Sequence, residues 1–426
     1  MDTGVQLRYR AYFPGKCEFK NSRRGVGAEG RGAPGRTSGP TEAMDVIAKL
    51  PTPLGWVVGH APLSKKALEK RPWISPWMLV KTLDSILRGI AQVCFADNPL
   101  SGLLILLGLF AGDVMAGLGA LVCSLVAVIV ALAFQEPGGA IASGLTNYSA
   151  VLVGSVTASL YPVFFHQPLT LPVWGFMLFA TVFSVCIGSG LGSILSPFKL
   201  PCFTLPFNIA TSIAFICMRA HGLAGLPEEA GGQVDESEAV QWVQVLRGTL
   251  LSVGQVYAVE TVTGSCLIIA GLLLCSPLLT VISVAGAFFA SCTAAMVSSA
   301  PYSMIYAGVW GYNGFLSAGC LFFFMVPSRR LFILAVVNAI FTTFLQAAIA
   351  PVFAVNQLPV FTYPFCMSSL MFLAMASNGG MDSERVANLT FPEQHFILHL
   401  KESNTEENSK TWARLLSLPR SVRSET

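Results

Sequence analysis

The chain has 426 residues and a net charge of +3; 53% of its residues are hydrophobic and only 12% are charged, against about a quarter in an ordinary soluble domain. A soluble fold has too little polar surface to cover so much apolar area, and so small a net charge argues against a nucleic-acid partner. The eleven cysteines form no Cys-x-x-Cys pair and mostly lie in apolar blocks, as small buried hydrophobes do, so no metal, redox centre or other cofactor is called for.

Residues 1–75 read as a polar, disordered, cytoplasmic tail, marked by Arg23-Arg24-Gly25 and a Gly/Pro/Ser stretch from Gly35 to Pro40. The first 45 residues hold no continuous apolar core of the kind a cleavable signal needs. Residues 76–218 contain six apolar segments, near 83–95, 99–112, 114–134, 140–161, 171–195 and 200–218. A polar loop at 219–241 is followed by a second set over 242–381, near 242–258, 263–275, 277–297, 302–326, 331–353 and 358–377. Residues 382–426 form a second cytoplasmic tail. Charges are absent from 137–198, 261–328 and 331–381, lengths that suit serial bilayer spans of about 20 residues each.

The two sets are an internal repeat. Leu200-Pro201-Cys202-Phe203-Thr204-Leu205-Pro206-Phe207 and Leu358-Pro359-Val360-Phe361-Thr362-Tyr363-Pro364-Phe365 agree at six of eight positions. Gln92-Val93 recurs as Gln255-Val256, and Tyr148 with Leu152 recurs as Tyr312 with Leu316. Lys and Arg number 13 through Arg71, one in the middle loop and six after Met381, which puts both tails in the cytoplasm and the loop outside. Each half then crosses an odd number of times, so one of its six segments enters and returns. The expected fold is an all-α polytopic membrane protein of two inverted halves, each with about five transmembrane helices and one short re-entrant helix, the latter ending near Gln92 or Gln255.

Pro206 and Pro364 read as breaks inside spans, freeing the carbonyls of Cys202 and Val360. With the Thr204 and Thr362 hydroxyls and the amides of Gln92 and Gln255, they supply uncharged acceptors near the midplane. Phe95, Tyr148, Phe207, Tyr257, Tyr312 and Phe365 supply aromatic walls. A small, flat, neutral solute rich in N–H donors fits such a line of acceptors, because stripping its water costs several kcal/mol unless acceptors replace it. Gly108 with Gly112, and Gly188, Gly190 and Gly192, read as close helix contacts.

Over residues 80–395 the chain resembles the urea transporter family. The features that carry the likeness are Leu87-Arg88-Gly89-Ile90-Ala91-Gln92-Val93, Asn98-Pro99-Leu100-Ser101-Gly102, the two Leu-Pro-x-Phe-Thr-x-Pro-Phe copies and Trp310-Gly311-Tyr312-Asn313. The resemblance implies facilitated diffusion of urea without ion coupling or cofactor, in a plasma-membrane homotrimer with one pore per subunit. It implies as pore residues Gln92, Val93, Phe95, Tyr148, Leu152, Thr204, Leu205 and Phe207 from one half. From the other it implies Gln255, Val256, Tyr312, Leu316, Thr362 and Phe365, with the threonines at the constriction. The chain departs from the pattern at Val259-Glu260-Thr261-Val262, which stands in place of a second Asn-Pro and reads as one residue shorter, and at Asn147-Tyr148-Ser149. A channel for ammonia, urea analogues or water and an ion-coupled transporter are the rival readings. The five histidines, however, fall in tails or loops, and Asp97, Asp113 and Glu260 lie near segment ends. No enzyme motif is present in the sequence.

Overall fold

The computed structural model describes residues 57–73, 75–221, 239–298, 302–377, 385–386 and 389–401. Arg23-Arg24-Gly25, the Gly35–Pro40 stretch, most of the middle loop and the end of the second tail lie outside the described residues. Fifteen helices are used below, labelled in chain order. A short α1 (Pro62–Glu69) precedes a first set: α2 (Met78–Gln92), α3 (Pro99–Gly112), α4 (Val114–Ala133), α5 (Gly138–Ala142), α6 (Tyr148–Phe165), α7 (Leu171–Leu195) and α8 (Leu205–Ala220). The second set follows in the same order: α9 (Trp242–Gln255), α10 (Val262–Cys275), α11 (Pro277–Val297), α12 (Ser303–Tyr306), α13 (Tyr312–Phe324), α14 (Arg329–Val355) and α15 (Tyr363–Ser377).

Among the described residues, α4, α6, α7, α11 and α14 are long and apolar enough to cross a membrane, while α3, α8, α10, α13 and α15 are apolar but shorter. The protein is therefore an all-α, multi-pass membrane protein. Helix starts follow the local sequence. Asn98 caps α3 by accepting from Leu100 N and Ser101 N, Asp113 caps α4, Thr261 caps α10, Ser276 caps α11 and Ser328 caps α14.

The halves match in their irregular places as well as in their helices. Left-handed φ angles occur in corresponding pairs: Phe95 (63°) and Ala258 (60°), Lys199 (55°) and Gln357 (47°), Phe203 (47°) and Phe361 (48°). Such a conformation is unfavourable for a residue with a Cβ, so its recurrence marks turns that the fold needs twice. Two residues separate Phe95 from Asn98, and two separate Ala258 from Thr261. The second turn is thus not shorter than the first, and Thr261 does the capping that Asn98 does in the first half.

The halves meet where α3 crosses α10. A Cβ on Gly108 would lie 2.9 Å from the Gly264 carbonyl, and one on Gly271 would lie 2.8 Å from the Ser101 carbonyl. Ser101 corresponds to Gly264 and Gly108 to Gly271, so each contact is the image of the other. Gly188 and Gly190 depart from the expected close contacts. A Cβ at Gly188 would find only Pro206 carbons at 3.6 and 3.9 Å, and one at Gly190 would find nothing within 4 Å.

The boundary of the amino-terminal tail also needs correction, because from residue 57 onward the chain is part of the fold. Gly59 N donates to Leu274 O at 3.1 Å, and Asn98 Nδ2 donates to the carbonyls of Val57 and Gly59, each at 2.7 Å. Arg88, fully buried, organises this region. It pairs with Asp84 (2.8 Å) and Asp97 (2.7 Å) and donates to Ser64 Oγ (2.9 Å) and the carbonyls of His60 and Asp97, while Lys65 makes a second bridge to Asp97 at 2.7 Å. Residues 389–401 pack beside this segment. The Phe391 ring lies 5.9 Å from the His60 ring, tilted to it by 45°, and Glu393 accepts from Ser276 Oγ and Leu278 N at the start of α11.

Leu251 holds the place of Arg88 in the second half, so the helix itself does not need the charge, but its partners do. Arg88→Leu is expected to destabilise the protein by about 3–5 kcal/mol by leaving buried carboxylates unpaired, read as a lower melting temperature in detergent. An unchanged melting temperature would contradict the role given to the cluster.

Burial holds His60 and His395 down at about 4 from the ordinary histidine value, for His60 against the Asp97 charge that opposes the shift. His395 Nε2 accepts from Thr390 N at 2.8 Å, a bond only the unprotonated nitrogen can take. The unfolded chain takes up these protons near pH 6.5 and the folded one only near 4, so stability falls as pH drops through that window. Hydrogen exchange, corrected for its intrinsic pH dependence, should show 57–69 and 389–401 opening more at pH 5 than at pH 7.5. A His60→Gln, His395→Gln variant should lose most of that difference.

Candidate functional site

Helices α8 and α15 both begin at the buried centre, directly after Phe203 and Phe361 turn the chain through left-handed conformations. Pro206 and Pro364 fall in the first turn of each helix, where a missing N–H is no loss. This corrects the expectation of breaks inside spans. The Cys202 carbonyl is not freed, since it accepts from Leu205 N at 3.2 Å, and the Val360 carbonyl accepts from Tyr363 N at 3.4 Å.

The two helix starts meet at Thr204 and Thr362, whose hydroxyl oxygens lie 2.6 Å apart, both residues being buried. Thr362 donates its hydroxyl (2.8 Å) and its N–H (3.1 Å) to Asn208 Oδ1, so an acceptor on α8 holds the residue just before α15. With the Thr362 proton so placed, Thr204 donates to Thr362. Cys366, the counterpart of Asn208, has its Sγ 3.2 Å from Thr204 Oγ1 and 3.6 Å from Asn208 Nδ2. At a hydroxyl contact of 2.6 Å no solute fits between the threonines, and this conformation is closed there.

Matching groups flank the contact on each side. Tyr148 donates its hydroxyl to Phe203 O at 2.5 Å, and Tyr312 donates to Phe361 O. Gln92 Nε2 donates to Ser143 O at 3.2 Å and Gln255 Nε2 to Ala307 O at 2.9 Å, which fixes each amide and leaves its oxygen as an acceptor. Rings from both halves gather around: Phe95 lies 5.5 Å from Phe323 and 6.2 Å from Phe365, Phe203 lies 5.0 Å from Phe365, and Phe207 lies 5.4 Å from Phe361. Val93, Val256, Leu152 and Leu316 are buried in the core, and Leu205 is half-buried at the first position of α8.

A cavity of about 210 Å³ runs beside this arrangement. Lys65, Asp97 and Glu136 line it together with Gln92, Tyr148 and Cys202. Of the residues expected from sequence, Gln92 and Tyr148 line it, whereas Gln255 and Tyr312 do not. Several central groups were not anticipated: Asn208, Cys366, the carbonyls of Phe203 and Phe361, and the pair Asn313–Gln346, joined at 2.9 Å. Asn208 and Gln346 were visible as uncharged polar side chains within apolar runs, a rare and informative position. Cys366 carried no such signal.

A sequence profile of the family described as urea transporter matches residues 83–377. Urea transporter 1 of Ovis aries is 32% identical over 366 residues, covering 83% of this chain and 92% of that protein, and that of Capra hircus gives the same figures. Urea transporter 1 of Mus musculus is 31% identical over 362 residues, covering 82% and 90%. The match takes in both helix starts, both tyrosine–carbonyl pairs and both glutamines described above, and the chain belongs to the urea transporter family.

Proposed function

We propose that the protein is a passive channel for urea, with the Thr204–Thr362 contact as its constriction. The observation that carries this reading is the doubled set of uncharged acceptors, each half offering a glutamine, a tyrosine-held carbonyl and a threonine around one shared point. Urea presents N–H donors around a flat skeleton and meets replacement acceptors and aromatic faces along such a line. Two helix starts facing one point supply the complementary selection. Each carries roughly half a positive charge, which opposes cations, as half-helix ends do in other pores, and leaves a neutral solute unaffected.

In this reading the halves are inverted, α2 and α9 are the re-entrant helices, and the cavity lined by Gln92 and Tyr148 opens to the cytoplasm, where both termini lie. The plasma membrane as location and a homotrimer with one pore per subunit belong to the same proposal, which rests on the charge distribution and the family likeness.

Labelled-urea uptake into proteoliposomes with no ion gradient tests it. Thr204→Val together with Thr362→Val keeps shape and removes both hydroxyls. Lost hydrogen bonds cost about 1–3 kcal/mol each, so uptake is expected to fall by about tenfold or more. Absence of uptake by the folded unmodified protein, or dependence on a sodium or proton gradient, would overturn the channel reading.

A further inference from the structure

The halves differ where α6, α7 and α8 meet, and the difference is a missing pair of side chains. In the second half Asn313 Nδ2 donates to Gln346 Oε1 at 2.9 Å, and Gln346 Nε2 donates to Val309 O at 3.0 Å, which fills the space between α13 and α14. The register that pairs Tyr148 with Tyr312 and Lys199 with Gln357 puts Ser149 and Gly188 at those places in the first half. Neither can span the gap. Ser149 Oγ is buried and reaches no hydrogen-bond partner across the gap on α7, and beyond Gly188 there is only ordinary contact with Pro206. The space left open is part of the 210 Å³ cavity, whose wall here is Gly188, Gly192, Ser184 and Ser149 beside Tyr148 and Cys202. An apolar cavity of about 150 Å³ holds a benzene, a larger molecule than urea.

We propose that Gly188 and Ser149 are specificity-determining residues: the chamber they leave open gives the first half a binding site for N-alkylated ureas that the second half lacks. The inference rests on the urea reading of the pathway. The amide end of such a molecule sits against Gln92 and Tyr148, with Ser149 Oγ as a further hydrogen-bonding group, and the alkyl arm lies along the glycine face of α7. The Gln346 side chain closes the equivalent space in the second half, so the preference has a side: it belongs to the face of the protein carrying Lys65 and Asp97.

N-propylurea is a suitable probe. Its binding, read as thermal stabilisation of the purified protein, does not depend on flux. The expected result is stabilisation of the unmodified protein and, for Gly188→Gln with Ser149→Asn, a probe concentration for half effect raised by about tenfold, the scale on which a pocket discriminates a few methylene-sized groups. Equal half-effect concentrations in the two proteins would overturn the proposal. A second measurement needs no variant: in oriented vesicles, N-propylurea added on the Lys65 face should inhibit urea flux at lower concentration than when added on the other, and equal potency would count against the chamber. Loss of the urea reading shows separately, as absence of urea flux in the unmodified protein.

Discussion

A helix that starts in the interior of a membrane protein leaves its first N–H groups without water to bind, and every unsatisfied one costs several kcal/mol. This protein begins two helices there, at Leu205 and Tyr363, and much of its centre is organised around that demand. The chain reverses through Phe203 and Phe361, prolines occupy first-turn positions where no N–H is needed, and Asn208 on one helix accepts from the N–H of Thr362, the residue just before the other. The threonines that would ordinarily cap their own helices bond instead to each other and to Asn208. The same arrangement gathers acceptors and two positive helix ends at one point, so in the proposed reading the solution to a folding problem and the selectivity of the pathway share the same atoms.

The repeat makes this possible at low cost in sequence. A single motif, Leu-Pro-x-Phe-Thr-x-Pro-Phe, supplies a half-site, and the pairing of α3 with α10 through Gly108, Gly264 and Gly271 brings the backbones of the two halves within contact. Elsewhere the copies diverge. The first half carries a buried Arg88 with two carboxylate partners where the second has Leu251, and this cluster binds residues 57–73 to the turn after α2. The second half keeps Asn313–Gln346 and a polar network about Asn338, Ser317, Thr342 and Ser368, where the first has Ser149, Gly188, Ser184 and the apolar Ala180, Val153 and Ala210.

Helices and halves were legible in the sequence because hydropathy and duplication act on long windows, and the glutamines, tyrosines and threonines stood out as paired polar groups in apolar surroundings. Reading Pro206 and Pro364 as kinks within a span failed for a local reason. A proline in an apolar run looks the same whether it interrupts a helix or sits in its first turn, and only the left-handed residues before it decide. Cys366 and Gly188 were illegible for another reason: one is central and the other structurally open through what lies opposite them, which a linear pattern does not display. The tail boundary was misplaced because Val57 to Trp73 is polar in composition and is held by hydrogen bonds and ion pairs more than by apolar area.

The central claim is that solute passes between Thr204 and Thr362. Cysteines at both positions, in a Cys366→Ser background that removes the neighbouring thiol, allow that passage to be locked by a disulfide and released by a reductant. The account predicts urea uptake that stops on oxidation in proportion to the cross-link formed and returns on reduction. Uptake that continues through fully cross-linked protein would place the pathway elsewhere.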